Sequence, residues 1–209
     1  MSAALVLAEP DVALTDWALA VEAFVLAWLA RPRGAAWALF FGSVGAAAVL
    51  GGASHGFFPD GRGLVATALW RATLLALGLT AVAAAVAGSR ALDVRLAVPV
   101  RRLAAVLAAA YVVVVLAIND AFAVAIIAYL PATLFLLGVF IAAALRAGGG
   151  GAAVAACGIA LLLLGSWMQW RMIAAPALGL THNALSHVIE MLALPLIYQG
   201  VGERRAREA

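Results

Sequence analysis

Residues 35–57 read AAWALFFGSVGAAAVLGGASHGF and contain no Asp, Glu, Lys or Arg. A helix needs about 20 apolar residues of this kind to cross a hydrocarbon layer of roughly 30 Å. Because lipid offers no hydrogen-bond partner to backbone N–H and C=O groups, a segment that spans a membrane is helical. The stretch therefore predicts a membrane-spanning helix.

Apolar blocks of similar length recur on both sides of this stretch. Of the 209 residues, 67% are hydrophobic and 11% are charged, whereas a soluble domain is only about half apolar. With residues 35–57 as segment two, segments one and three to five lie at about 11–30, 63–88, 102–118 and 121–145. Segment six runs from the glycine run 148–151 to about 172, and segment seven spans about 176–198. The sequence thus predicts an all-α integral membrane protein, with residues 1–209 forming a single seven-transmembrane helix bundle.

The basic residues predict the orientation of this bundle. All 13 are arginines, which excludes a lysine-bound retinal and does not indicate a nucleic-acid partner. Connections on one side hold Arg31, Arg33, Arg90, Arg95, Arg101, Arg102, Arg146, Arg204, Arg205 and Arg207. Connections on the other side hold Arg62 and Arg171, while Arg71 lies inside segment three. The positive-inside rule then predicts an outer N-terminus and a cytoplasmic C-terminus, in a bacterial inner (plasma) membrane.

Most polar residues fall in the predicted outer half of the membrane, which indicates a polar cavity there, since ionisable groups are costly at membrane depth. We expect Glu22 to pair with Arg71 or Arg171. Asp16 has two interpretations: a first-turn acid beside a capping Thr15, or a group that moves protons. Asp120 has the simple interpretation of starting segment five.

His55, His182 and His187 are the chain's three histidines, and all belong to this polar layer. Three imidazole ligands with one open position are typical of a catalytic zinc site. His182 and His187 are five residues apart, which points them in different directions on a straight helix, so we expect the helix to begin or be irregular near His182. Two alternatives to a zinc site are a hydrogen-bonded structural role for the histidines and a haem held by His55 and His187.

Two short motifs resemble the CREST superfamily, which includes the alkaline ceramidases, the progestin and adipoQ receptors and the hemolysin III relatives. They are THNALSHVIEMLALPLIYQG at 181–200 and ASHGFF at 53–58. The resemblance implies a zinc ion on His55, His182 and His187 and hydrolysis of lipid amides. The chain departs from the family in three ways. The last helix has HxxxxH instead of HxxxH, Gly51 stands where the family has serine, and Asp60 precedes segment three instead of lying within it.

These observations predict a zinc-dependent hydrolase that acts on a lipid-like amide or ester from the outer leaflet, with membrane lipid around it. Asp60, Asp16 and Ser54 are the candidate catalytic residues, the two acids as groups that move the proton. Asp60 in Pro-Asp-Gly also has the plain interpretation of a turn residue. The alternative function is a non-catalytic receptor-like or transport protein with a structural metal or haem.

Overall fold

The computed structural model describes residues 6–147 and 150–208, and seven helices there are long and apolar enough to cross a membrane. They are α1 (Pro10–Ala30), α2 (Ala35–Phe57), α3 (Leu64–Ser89), α4 (Val94–Val113), α5 (Phe122–Ala147), α6 (Gly150–Trp170) and α7 (His182–Glu208). The described residues contain no strand, only one isolated bridge between Ala175 and Leu180. The all-helical class is confirmed, and the seven apolar helices are consistent with an integral membrane protein.

Six of the helices close into a ring in the order α1, α2, α3, α5, α6, α7, with α7 packing back against α1. Helix α4 lies outside this ring and packs chiefly on α3. Most of the α4 surface is apolar and exposed, as expected for a helix that faces lipid. The first and last helices are thus neighbours, and the ring surrounds a central space.

The two ends of the bundle differ in composition. One end, here called the histidine end, bears the start of α1 and the α2–α3, α4–α5 and α6–α7 connections. The opposite end, here called the arginine end, bears the α1–α2 and α3–α4 connections, with Arg31, Arg33 and Arg90. Its interior is filled by aromatic side chains in mutual contact, namely Trp37, Phe40, Phe41, Phe140 and Tyr198. The ring is therefore closed at the arginine end.

Helices α6 and α7 approach each other closely because of Gly158. A Cβ atom at this position would lie 2.8 Å from the carbonyl oxygen of Ala193 and 2.9 Å from the backbone nitrogen of Ile197. Any side chain here would force the two backbones apart. The absence of a side chain thus sets the position of α7, which carries two of the histidines.

Helix α4 begins at Val94, eight residues earlier than predicted. The Asp93 side chain caps the helix by accepting a hydrogen bond from the Arg95 backbone N–H at 2.8 Å. Arg101 therefore lies on the helix and donates from Nε to Ser89 Oγ at 2.8 Å. The prediction of a later start was wrong because arginines were assigned to a loop, although their aliphatic stems can lie along a helix in apolar surroundings.

Helix α7 begins at His182 and not at residue 176. A short 3-10 turn, Pro176–Leu178, is followed by Gly179 in the left-handed conformation with a φ of 68°. This turn folds Leu180 back onto Ala175, so the chain cannot continue as a helix. The expectation that the helix begins near His182 is confirmed.

Candidate functional site

A cavity of about 360 Å³ lies inside the ring of helices toward the histidine end. All three histidines line it, together with Asp16 from α1 and Glu190 from α7. The floor is apolar and includes Leu19 of α1, which belongs to the core that fills the arginine end. Part of the predicted polar layer thus lines one cavity, whereas Glu22, Asp60, Arg71, Asp120 and Arg171 lie outside its lining.

His187 is held on both sides of its ring by residues of α1. Its Nδ1 lies 3.1 Å from Thr15 Oγ1, and its Nε2 lies 3.4 Å from Asp16 Oδ1. Both side chains of the His187–Asp16 pair are largely buried, at 13% and 6% exposure. Helices α1 and α7 thus meet through a polar contact within the bundle.

His55 sits near the end of α2 and also contacts the start of α1. Its Nδ1 lies 2.9 Å from Oε2 of Glu9, the residue immediately before α1. The Trp70 ring of α3 packs edge-on against the imidazole, with centroids 6.4 Å apart. The ring of His55 is therefore fixed by an acid on one side and an aromatic wall on the other.

His182 is the first residue of α7 and is half-buried at the cavity. Within residues 6–146 and 150–201, whose side chains the structure describes, the His182 side chain has no hydrogen bond or ion pair. Among the same residues, no three His, Cys, Asp or Glu side chains stand in a metal-binding arrangement. The three histidines thus line one cavity without forming a metal site among the described side chains.

Asp16 is not a first-turn acid, because α1 begins at Pro10 and Asp16 is 4% exposed. Thr15 does not cap the helix either, since its hydroxyl donates within the helix to Asp11 O at 2.7 Å. A Cβ atom on Gly51 would lie 3.2 Å from Asp16 Oδ2. The missing side chain at Gly51 therefore leaves room for the Asp16 carboxylate.

The other two catalytic candidates lie outside the cavity wall. Asp60 is exposed in the turn between α2 and α3, where Gly61 N–H donates to Phe58 O at 3.0 Å. Ser54 is buried, and within the described part of the chain its hydroxyl has no hydrogen-bond partner. Of the three candidates, Asp16 is the one that the fold brings to the histidines.

Arg71 does not pair with Glu22, contrary to one of the two predicted pairings. Its Nε lies 2.9 Å from Asp120 Oδ2, and the Trp70 indole N–H donates to Asp120 O at 2.7 Å. Asp120 thus ties the α4–α5 connection to α3 and does more than start α5. No salt bridge or hydrogen bond joins Glu22 to Arg171 or to any other described side chain.

Five polar residues at or beside the cavity were not among the predicted site residues. Gln169 Nε2 donates to Asn183 Oδ1 at 3.0 Å in the cavity wall, and Glu190 lines the same wall. Glu190 follows His187 by three residues, and this same-face spacing is a signal for it in the sequence. Glu9 and Thr15 carry no such signal, because they reach their histidines only through the packing of α1.

Comparison with known proteins identifies one family. Its model, described as "Family of unknown function (DUF6962)", matches residues 12–206 and so spans all seven helices. No curated protein and no solved structure matches the chain.

Proposed function

The chain belongs to this family of unknown function, and we propose that it is a membrane-embedded, zinc-dependent hydrolase of a lipid-like amide or ester. One observation carries the proposal: three imidazoles and two carboxylates from α1, α2 and α7 line one cavity at one end of the bundle. Ionisable side chains within a membrane-spanning bundle are costly, so their convergence favours a functional site over a structural one.

The donor groups of this cavity suit zinc. Imidazole nitrogen and carboxylate oxygen are ligands that zinc takes in proteins, and His55, His182 and His187 would hold the ion. The ion would supply Lewis acidity toward a carbonyl oxygen and toward water. The Gly51 position supports this fit, because the missing side chain leaves space for the Asp16 carboxylate beside His187.

Asp16 is the residue that accepts a proton in this proposal. Its carboxylate lies in the cavity wall beside His187, whereas Asp60 lies in an exposed turn outside it. A carboxylate in this position removes a proton from the attacking water and returns it to the leaving group. Glu190 lines the same cavity about one turn deeper than His187, where it maintains a polar surface around the scissile bond.

The Gln169–Asn183 pair orients the polar part of the substrate. Each amide has one acceptor and two donor hydrogens, and one hydrogen bond between them leaves an acceptor on one residue and donors on the other. Exchanging O and N in both side chains gives the same result. An amide substrate has an N–H donor and a C=O acceptor, so it can bond to both the acceptor and the donors of the pair. An ester has only acceptor oxygens, so it can bond only to the donors.

The closed arginine end supports a reaction chamber over a transport path. Between the cavity and the arginine end, Phe40, Phe41 and Phe140 belong to one continuous buried core. The Ser43–Thr80 hydrogen bond, at 2.8 Å, is a polar contact in this part of the bundle. Passage to the arginine end would require the aromatic side chains to separate.

The substrate enters from the outer leaflet in this proposal. The arginine bias predicts a cytoplasmic arginine end and, with it, a cavity that faces outward. Trp170 lines the cavity and is 67% exposed on the bundle surface, so the chamber borders the region where lipid headgroups meet acyl chains. This arrangement suits a lipid-like substrate in a plasma membrane.

The experiment uses the full chain in lipid nanodiscs. Elemental analysis should find zinc, and a fluorescent N-acyl lipid or its ester analogue should be cleaved. Chelation should abolish turnover, and added zinc should restore it. Zinc or lipid binding without turnover of either substrate would contradict the hydrolase and support the receptor-like alternative.

A further inference from the structure

We propose that Glu9 and Thr15 are positioning residues that hold His55 and His187 in the tautomer with the proton on Nδ1. Each neutral ring then has the lone pair on its Nε2, the ring nitrogen that does not contact Glu9 or Thr15. Helix α1 and its preceding residue would thus prepare two imidazoles as ligands without contributing one of the three histidines. The purpose of this arrangement rests on the proposed metal site, but the tautomers themselves do not.

The Thr15 hydroxyl determines the proton position on His187. The hydroxyl has one hydrogen, and the backbone oxygens of Asp11 and Val12 lie 2.7 Å and 3.0 Å from Oγ1. With that hydrogen donated within the helix, Oγ1 is left as an acceptor for the imidazole Nδ1 at 3.1 Å. This arrangement assigns the proton of the neutral His187 ring to Nδ1.

This tautomer has a consequence at the other nitrogen of His187. Nε2 then has a lone pair, and it faces Asp16 Oδ1 at 3.4 Å. Two lone pairs at this separation repel each other unless a proton or a cation lies between them. The contact is therefore arranged to receive a positively charged partner, which is the property required of a metal ligand.

Glu9 has the same role for His55. An ionised carboxylate only accepts hydrogen bonds, so the 2.9 Å contact requires His55 Nδ1 to be the donor. A carboxylate that accepts from the far nitrogen is the usual support of a metal-binding imidazole, because it fixes the ring and raises the basicity of the free nitrogen. His182 has no such supporting group within the described residues. Its tautomer should therefore not respond to changes at Glu9 or Thr15, and it serves as the internal reference.

The test is nitrogen NMR of ¹⁵N-histidine-labelled protein in nanodiscs without metal, at about pH 8 where ordinary imidazoles are neutral. The chain has three histidines, so replacing each one in turn assigns the signals. We expect His55 and His187 to be protonated on Nδ1.

Thr15→Val should shift His187 toward the Nε2–H form, and Glu9→Leu should shift His55 in the same way. Thr15→Ser, which keeps the acceptor, should restore the spectrum, and His182 should not respond.

Zinc titration of the same variants supplies the second readout. Loss of such a supporting group lowers metal affinity by roughly 10- to 100-fold, so Thr15→Val and Glu9→Leu should bind zinc more weakly by this factor and Thr15→Ser should not. Nε2–H tautomers in the parent, or a His187 signal that ignores Thr15→Val, would overturn the positioning role. A parent with the expected tautomers that binds no zinc would instead refute only the proposed function.

Discussion

His187 Nε2 and Asp16 Oδ1 lie 3.4 Å apart, although the two residues belong to the last and the first helix. Their contact spans the seam where α7 packs on α1 and closes the ring. The chemistry of the cavity therefore depends on closure of the bundle, and not on either helix alone.

Replacing Asp16 by Asn should lower hydrolysis by about 100-fold or more, since general acid–base groups contribute roughly 10²- to 10⁴-fold. The amide keeps the shape of the carboxylate, so the thermal unfolding temperature should change little. Asp60→Asn, an equal change in the exposed α2–α3 turn, is the control and should leave the rate unaltered. Equal losses in both variants, or no loss in Asp16→Asn, would argue against Asp16 as the proton acceptor.

Gly158→Ala should destabilise the bundle by about 1–3 kcal/mol, the usual cost of inserting a methyl group into a tightly packed contact. The new Cβ would meet the Ala193 carbonyl oxygen at 2.8 Å, and backbone cannot rotate away as a side chain can. Gly138→Ala in α5 is the matched control, because a Cβ there meets nothing within 4 Å. Thermal unfolding in detergent measures both, and similar stabilities would refute the close α6–α7 approach.

The helical segments were predictable because hydropathy and helix length are properties of a local window. The predicted starts of α4 and α7 were wrong, because single charged or proline residues were given more weight than the surrounding sequence. Arg101 was assigned to a loop by its charge, yet it lies on α4 and is bonded to Ser89. Pro176 was taken as a helix start, yet Gly179 turns the chain before α7 begins at His182.

The histidines and Asp16 could be selected from the sequence because ionisable residues are rare in apolar helices. Their partners could not. Glu9 reaches His55 across 46 residues, and Thr15 reaches His187 across 172. Such pairs follow from which helices are neighbours in the ring, and hydropathy does not encode that order. For the same reason Arg71 was one of the two arginines expected beside Glu22, whereas packing places it beside Asp120.

Arg71 and Asp120 should show a coupling below about 1 kcal/mol in a double-mutant cycle, because both side chains are more than a third exposed. Arg71→Asp combined with Asp120→Arg should recover most of the stability lost in either single variant. A fully additive double variant would indicate that the contact does not stabilise the α4–α5 connection.

The proposed orientation predicts opposite accessibility of the two ends. Cys157 is replaced by Ala to remove the one native thiol, and a cysteine is then introduced at Asp60 or at Arg95. An impermeant thiol reagent added to intact cells should label position 60 and not position 95. A reporter fused after Ala209, which lies outside the described residues, should be cytoplasmic. The reverse pattern would place the cavity on the cytoplasmic side.

Gln169→Leu should reduce cleavage of the amide substrate more than cleavage of its ester analogue. In the parent, Gln169 donates from Nε2 to Asn183 Oδ1, so its own Oε1 is the free acceptor for the substrate N–H, and an ester has no such hydrogen. Leucine removes the acceptor at this position in the wall. One hydrogen bond is worth about 0.5–1.5 kcal/mol net, which corresponds to a change in relative kcat/KM of about 2- to 13-fold in favour of the ester.

Ser166→Ala is the control, because Ser166 accepts from Tyr129 on the neighbouring helix and does not line the cavity. Its amide-to-ester ratio should equal that of the parent. An unchanged ratio in Gln169→Leu would show that substrate selection lies elsewhere in the cavity.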